Sequence, residues 1–199
     1  MPRQADPTLP SRIAEAAYAL WRKDGDAAVT IRDVARRART TTPSVYAHFT
    51  DRAAILRAVR MLAHDRFVAA LAKSTSVLDA CARMLAFADD HPRDYELLFG
   101  YGFRDRVEPA VQAEQFAIFE GYIRQAGMPD RGVRPTALAI RSLVHGAAMF
   151  RLAQDKPGPW WPESQAACLD ACALLLEQRA MRRLASRGRP RQDGREPDR

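Results

Sequence analysis

Apolar positions recur every three or four residues along most of the chain, and no stretch alternates at period two between turn signals. The pattern predicts an all-α protein. Ile13, Ala16, Ala17, Leu20 and Trp21 form one apolar stripe on a helix over Ser11–Lys23, stopped by Asp24-Gly25-Asp26. Thr30 is suited to cap a short second helix, Ile31 to about Arg37, with Asp33 at its third position. A break at Ala38–Thr41 precedes a further short helix, Thr42 to Phe49, which Pro43 can start and in which Val45 and Phe49 face inward. Asp51 is placed to cap a longer helix running through Ile55, Leu56, Val59, Leu62, Ala63 and Phe67 to about Lys73.

Helical segments follow at Val77–His91, Asp94–Phe99, Glu108–Ala126, Arg134–Gln154 and Glu163–Leu184, separated by Pro- and Gly-containing breaks. The expected organisation is a helix-turn-helix domain at 1–50 and a helical domain at 51–185. From Ser186 the chain loses its apolar residues and reads as a disordered basic tail, 186–199. No apolar run approaches the roughly 18–20 residues of a membrane span. The N-terminus lacks the apolar core of a secretory signal. A soluble, cytoplasmic protein without membrane partners is expected.

Charge sharpens the picture through its location. The formal net charge is +7. Residues 1–66 hold 12 Lys and Arg against 7 Asp and Glu, whereas 67–185 hold 14 of each. A basic N-terminal third on a neutral body suits a phosphate-binding module, because phosphate contacts release condensed counterions. The order helix, short helix, four-residue turn, short helix is that of a helix-turn-helix. Its last helix carries small polar side chains that fit a groove about 12 Å wide. Thr41, Thr42, Ser44, Tyr46 and His48 can bond phosphates or base edges, and Ala47 permits close approach.

Enzyme chemistry finds no support in the sequence. His64, His91 and His145 are scattered without metal spacing. There is no Gly-rich phosphate loop, GxSxG or HExxH, and Asp89-Asp90 reads as a solvated helix end. Neither cofactor nor metal is expected. The three cysteines, Cys81, Cys168 and Cys172, read as small buried hydrophobes, with a metal or redox pair at Cys168 and Cys172 as the sharper alternative.

The run Ile13-Ala14-Glu15-Ala16-Ala17, Leu20-Trp21, Gly25, Thr30-Ile31-Arg32-Asp33-Val34-Ala35, Ser44-Val45-Tyr46-Ala47-His48-Phe49, Asp51-Arg52 and Ile55-Leu56 resembles the DNA-binding domain of the TetR family of bacterial regulators. The resemblance implies that Thr42–Phe49 enters the major groove and that Tyr46, His48 and Arg52 hold phosphates. It also implies that Arg32 reaches a base or a phosphate. Arg39 departs from the family, which usually has Gly there, and Thr40 stands in a usually apolar place. A non-Gly residue takes left-handed angles at a cost near 1 kcal/mol, and Arg39 then offers a further backbone contact.

Residues 92–99 and Leu143-Val144-His145-Gly146 are similar to a subgroup with a Trp-His-Gly signature, Val144 taking the Trp place. By that resemblance the last two helices form a four-helix interface with a second copy, for which Leu143, Phe150, Leu169, Leu174 and Leu175 are candidates. Met84, Phe87, Tyr95, Phe99, Phe103, Phe116, Phe119, Tyr122, His145 and Met149 are candidates to line a pocket for an unidentified small apolar or aromatic effector. The function expected is a homodimeric, sequence-specific regulator of double-stranded DNA, repressing until an effector releases it. The alternatives are a sequence-tolerant architectural DNA-binding protein or an all-helical enzyme.

Overall fold

A computed structural model describes residues 6–100, 109–154, 156 and 158–187. Among them are nine α-helices and no strand: α1 Leu9–Asp24, α2 Ile31–Arg37, α3 Thr42–Tyr46, α4 Arg52–Leu71, α5 Val77–Asp90, α6 Pro92–Phe99, α7 Pro109–Gln125, α8 Asp130–Leu152 and α9 Trp161–Arg187. A single 3-10 turn, Asp26–Ala28, joins α1 to α2. Phe103 and residues 188–199 of the predicted tail lie outside the described residues. Among the described residues no helix is long and apolar enough to cross a membrane.

The local signals act where the sequence places them. Gly25 ends α1 with φ 79°. Thr30 Oγ1 accepts a bond from the Asp33 amide at 3.1 Å and donates to Asp33 Oδ2 at 2.6 Å. Asp51 Oδ1 accepts from the Ala54 amide at 2.7 Å, opening α4. Several boundaries differ from expectation: α1 and α9 each begin two residues early, at Leu9 and Trp161, and α9 continues to Arg187, so that the helix takes in the first two residues of the predicted disordered tail. Helix α8 begins at Asp130, four residues early, and carries Pro135 in its second turn. A proline so near the start removes one backbone bond and leaves the rest of the helix intact. Helix α6 begins at Pro92, which needs no N–H partner in the first turn. Regular α3 ends at Tyr46, although the Ala47, His48 and Phe49 amides still bond back to Pro43 and Val45.

The chain divides into two compact units. The first holds residues 1–75 and 83–118, the second 76–82 and 119–199. In the first, α1 packs on α2, α4 and α6, and α2 on α3. Its core contains Ile13, Ala17, Trp21, Val34, Val45, Ile55 and Val59, all buried. In the second, α8 packs on α9 around Ile140, Val144, Ala148, Trp161 and Cys172.

Candidate nucleic-acid interface

Helix α3 has five residues, too few to persist alone. Two contacts hold it. Val45 is fully buried, worth about 2 kcal/mol of removal from water. Thr41 caps the first turn, its Oγ1 accepting from the Ser44 amide at 3.3 Å and lying 2.9 Å from Ser44 Oγ. Thr41 and Ser44, both predicted to meet DNA, therefore also build the helix that carries the other contacts. Thr42, Tyr46, Ala47 and His48 are exposed around the same helix end, Tyr46 at 56%.

The turn between α2 and α3 closes in a specific way. The Thr40 amide bonds to the Ala35 carbonyl at 2.9 Å and the Arg39 amide to the Arg36 carbonyl at 3.3 Å. This is the paired C-terminal cap that demands a left-handed residue between the two donors' ends. Arg39 is that residue, with φ 53°. The usual glycine is replaced, and the turn keeps the glycine geometry. Thr40 is half-buried.

Arginines surround this head. Arg32, Arg36, Arg37 and Arg39 are all exposed. Arg36 pairs with Asp33 at 2.6 Å, whereas Arg32, Arg37 and Arg39 have no such partner among the described residues. Arg12 donates to the Ala38 carbonyl at 3.3 Å and pairs with Asp6 at 2.5 Å. A polar cavity of about 310 Å³ lies between α1 and the turn, lined by Arg12, Glu15, Arg37 and Arg39 with three alanines. Sequence reasoning missed Arg12 and Arg37 here. The signal was present: positions 12, 16 and 19 share one face of α1.

Arg52 is partly occupied within the chain. Its Nε donates to the Val29 carbonyl at 2.8 Å and one terminal nitrogen to the Asp26 carbonyl at 2.6 Å, with an ion pair to Asp26 at 2.9 Å. The side chain thus fastens the start of α4 to the turn before α2. Its other terminal nitrogen has two N–H groups left for an outside acceptor.

The rear of the head is anchored to α6 within the same unit. Tyr18 Oη donates to Asp94 Oδ2 at 2.7 Å, and Asp94 is buried. Burial and this carboxylate push the Tyr18 pKa up to about 12. Trp21 Nε1 donates to the Arg93 carbonyl at 3.4 Å, and Arg93 donates to the carbonyls of Arg22 and Lys23.

The candidate effector residues divide between the two units. Met84, Phe87 and Tyr95 are buried in the first, with Phe99 and Phe116 half-buried. Phe67 joins them, its ring edge-on to Phe87 and Phe99 at 5.2 Å each. In the second unit Phe119 is buried and Tyr122, His145 and Met149 are half-buried. Of the interface candidates, Leu143, Phe150 and Leu174 are exposed, while Leu169 and Leu175 are half-buried.

A capped short helix presented beside Arg32, Arg37 and Arg39, which have no ion-pair partner among the described residues, defines the class as a helix-turn-helix DNA-binding protein. Comparison with known proteins names the family. Residues 13–59 match the bacterial regulatory proteins of the tetR family, and residues 77–176 match the tetracyclin repressor-like C-terminal domain. The chain belongs to the TetR family of transcriptional regulators and binds DNA. Among curated proteins no relative matches.

Solved structures share the fold. A tetR-family transcriptional regulator from Streptomyces coelicolor gives a TM-score of 0.70 at 16% identity, over 96% of this chain and 94% of that one. A TetR-like transcriptional regulator from Rhodococcus sp. RHA1 gives 0.55 at 20%, over 94% and 100%. BioQ, solved with its double-stranded DNA operator, gives 0.58 at 19%, over 86% and 97%.

Proposed function

We propose that two copies of this chain occupy a near-palindromic operator as a repressor and that a small apolar or aromatic molecule releases them. The observation that carries the reading is an uncovered apolar face on the last two helices. Leu138, Leu143 and Phe150 on α8 are 43%, 43% and 60% exposed, and Leu174 on α9 is 58% exposed. Large apolar side chains grouped on two packed helices mark an association surface. A two-fold arrangement presents two copies of α3, and the paired heads then require an inverted repeat with half-sites about one helical turn apart or slightly more. BioQ on its operator is a precedent for this fold on duplex DNA.

Within each head, Thr42, Ala47 and Arg32 face the groove, while Tyr46, His48, Arg39 and the remaining donors of Arg52 hold phosphates. Release requires that the effector bind the DNA-incompetent state more tightly, since only differential affinity shifts the population. Met84, Phe87, Tyr95 and Phe99, all in the first unit, supply its lining. The test is the mass in solution. Phe150→Glu with Leu174→Glu is expected to turn a dimer into a monomer by sedimentation and to weaken operator binding sharply. A wild-type chain that sediments as a monomer at micromolar concentration, or a double variant of unchanged mass, refutes the dimer.

A further inference from the structure

Three free cysteines belong to the second unit, although positions 81 and 172 are far apart in sequence. Cys81 lies on α5, and Cys168 and Cys172 lie one turn apart on α9. At 100° per residue, positions 168 and 172 fall on the face of α9 opposite the exposed Asp170, Leu174 and Glu177. The thiols therefore point away from the surface assigned to the second copy. Cys172 has Cys81 as one neighbour and Cys168 as the other, each close enough to act on its ionisation. Cys81 and Cys172 are fully buried, whereas Cys168 is partly exposed.

We propose that this trio is a site of reversible thiol oxidation by hydroperoxides, which closes a Cys81–Cys172 disulfide between α5 and α9, with Cys168 at its entrance. Bonds donated by Cys81 and then Cys168 hold the Cys172 thiol below its ordinary pKa, against the opposing effect of burial. The hydrogen bond to Cys172, then burial, pushes the Cys81 thiol up. Burial, then the neighbouring Cys172, raises Cys168 to about 11. Of the three thiols, Cys172 is thus the one shifted toward the thiolate, which is the reactive form.

Cys172 sulfur attacks the terminal oxygen of the hydroperoxide. An S–O bond forms, the O–O bond breaks, and the alcohol leaves after taking up a proton. Cys172 is oxidised to a sulfenic acid. Cys81 sulfur then attacks Cys172, its proton going to the departing hydroxide. The S–S bond forms, the S–O bond breaks, and water leaves. Two thiols and one hydroperoxide give one disulfide, one alcohol and one water, and an external dithiol reverses the product. Cys81 is the partner because it approaches from another helix. Cys168 and Cys172 project in parallel from one helix, and bridging them distorts a turn.

The test uses the full-length chain, a small molar excess of hydrogen peroxide in chelator-containing buffer, a thiol-alkylating quench and peptide mapping. The expected result is a Cys81–Cys172 crosslinked peptide, one alkylated thiol at Cys168, and full reversal by dithiothreitol. Cys81→Ser is expected to stop at a Cys172 sulfenic acid that dimedone traps. Three alkylated thiols after treatment, a Cys168–Cys172 bridge, or a crosslink between two chains each overturn the proposal.

Discussion

Replacing Arg39 by glycine should strengthen the fold and weaken DNA binding, and the two effects can be sized separately. Arg39 holds φ 53° at the left-handed position of the turn. A residue with a Cβ costs about 1–2 kcal/mol there, and glycine removes that cost. Glycine also frees the unfolded chain, which offsets about 0.5–1 kcal/mol. The net expectation is a gain of roughly 0.5 kcal/mol, read as a small rise in the urea midpoint at unchanged slope. The guanidinium is exposed and unpaired among the described residues. If it meets one phosphate, a dimer loses two contacts, and the slope of log affinity against log salt falls by about 1.8. Between roughly 50 and 200 mM salt, the wild-type advantage over the variant then shrinks about twelvefold. Fluorescence anisotropy with a labelled operator duplex measures this. Arg39→Lys, which keeps the charge and the strain, is expected to retain the wild-type slope. A destabilised Arg39→Gly, or one with an unchanged salt slope, refutes the corresponding half of the reasoning.

Three further outcomes are expected. Arg32→Ala should cost about 1–3 kcal/mol on the preferred operator and relax the choice at one base pair per half-site, as for an arginine on guanine. A library of single-base operator variants checks this, and uniform weakening instead assigns Arg32 to a phosphate. Tyr18→Phe should cost about 1.5–3 kcal/mol in urea unfolding, because it strips the buried Asp94 carboxylate of its 2.7 Å donor. No loss would mean that Asp94 is satisfied elsewhere. For His91, burial first, then the nearby Arg66, holds the folded pKa below 6.5. The unfolded chain then takes the proton first, so this contribution to stability is complete above about pH 6.5 and declines as pH falls through that value. His91→Gln should flatten that part of the pH profile, and an unchanged profile removes His91 as its source.

What the sequence disclosed was governed by distance along the chain. Thr30, Asp51 and Gly25 act on residues within one turn, and their types and spacing suffice to place α2, α4 and the end of α1. Val45 was legible as an anchor because helical periodicity alone turns it inward. The early start of α8 was hidden by Pro135, which reads as a breaker until its place in the second turn is known. Arg52 offered the opposite lesson. Its residue type suggested a phosphate contact, but its bonds to Val29 and Asp26 cross more than twenty residues and have no local signature. The same holds for Phe67 among Phe87 and Phe99, and for Cys81 beside Cys172. Arg39 lies between these cases. Its departure from glycine was visible at once, while the preserved turn appears only in the φ angle and the bonds of Ala35 and Arg36.

The central claim is that paired heads read a specific duplex. Its most direct test is selection of bound fragments from a random double-stranded library by the full-length protein, at a salt concentration that suppresses non-specific binding. The expected result is enrichment of one inverted repeat, with half-sites about a helical turn apart, lost when Phe150 and Leu174 are replaced by Glu. A bound pool as random as the input, or a single unrepeated site held equally well by that double variant, would contradict it.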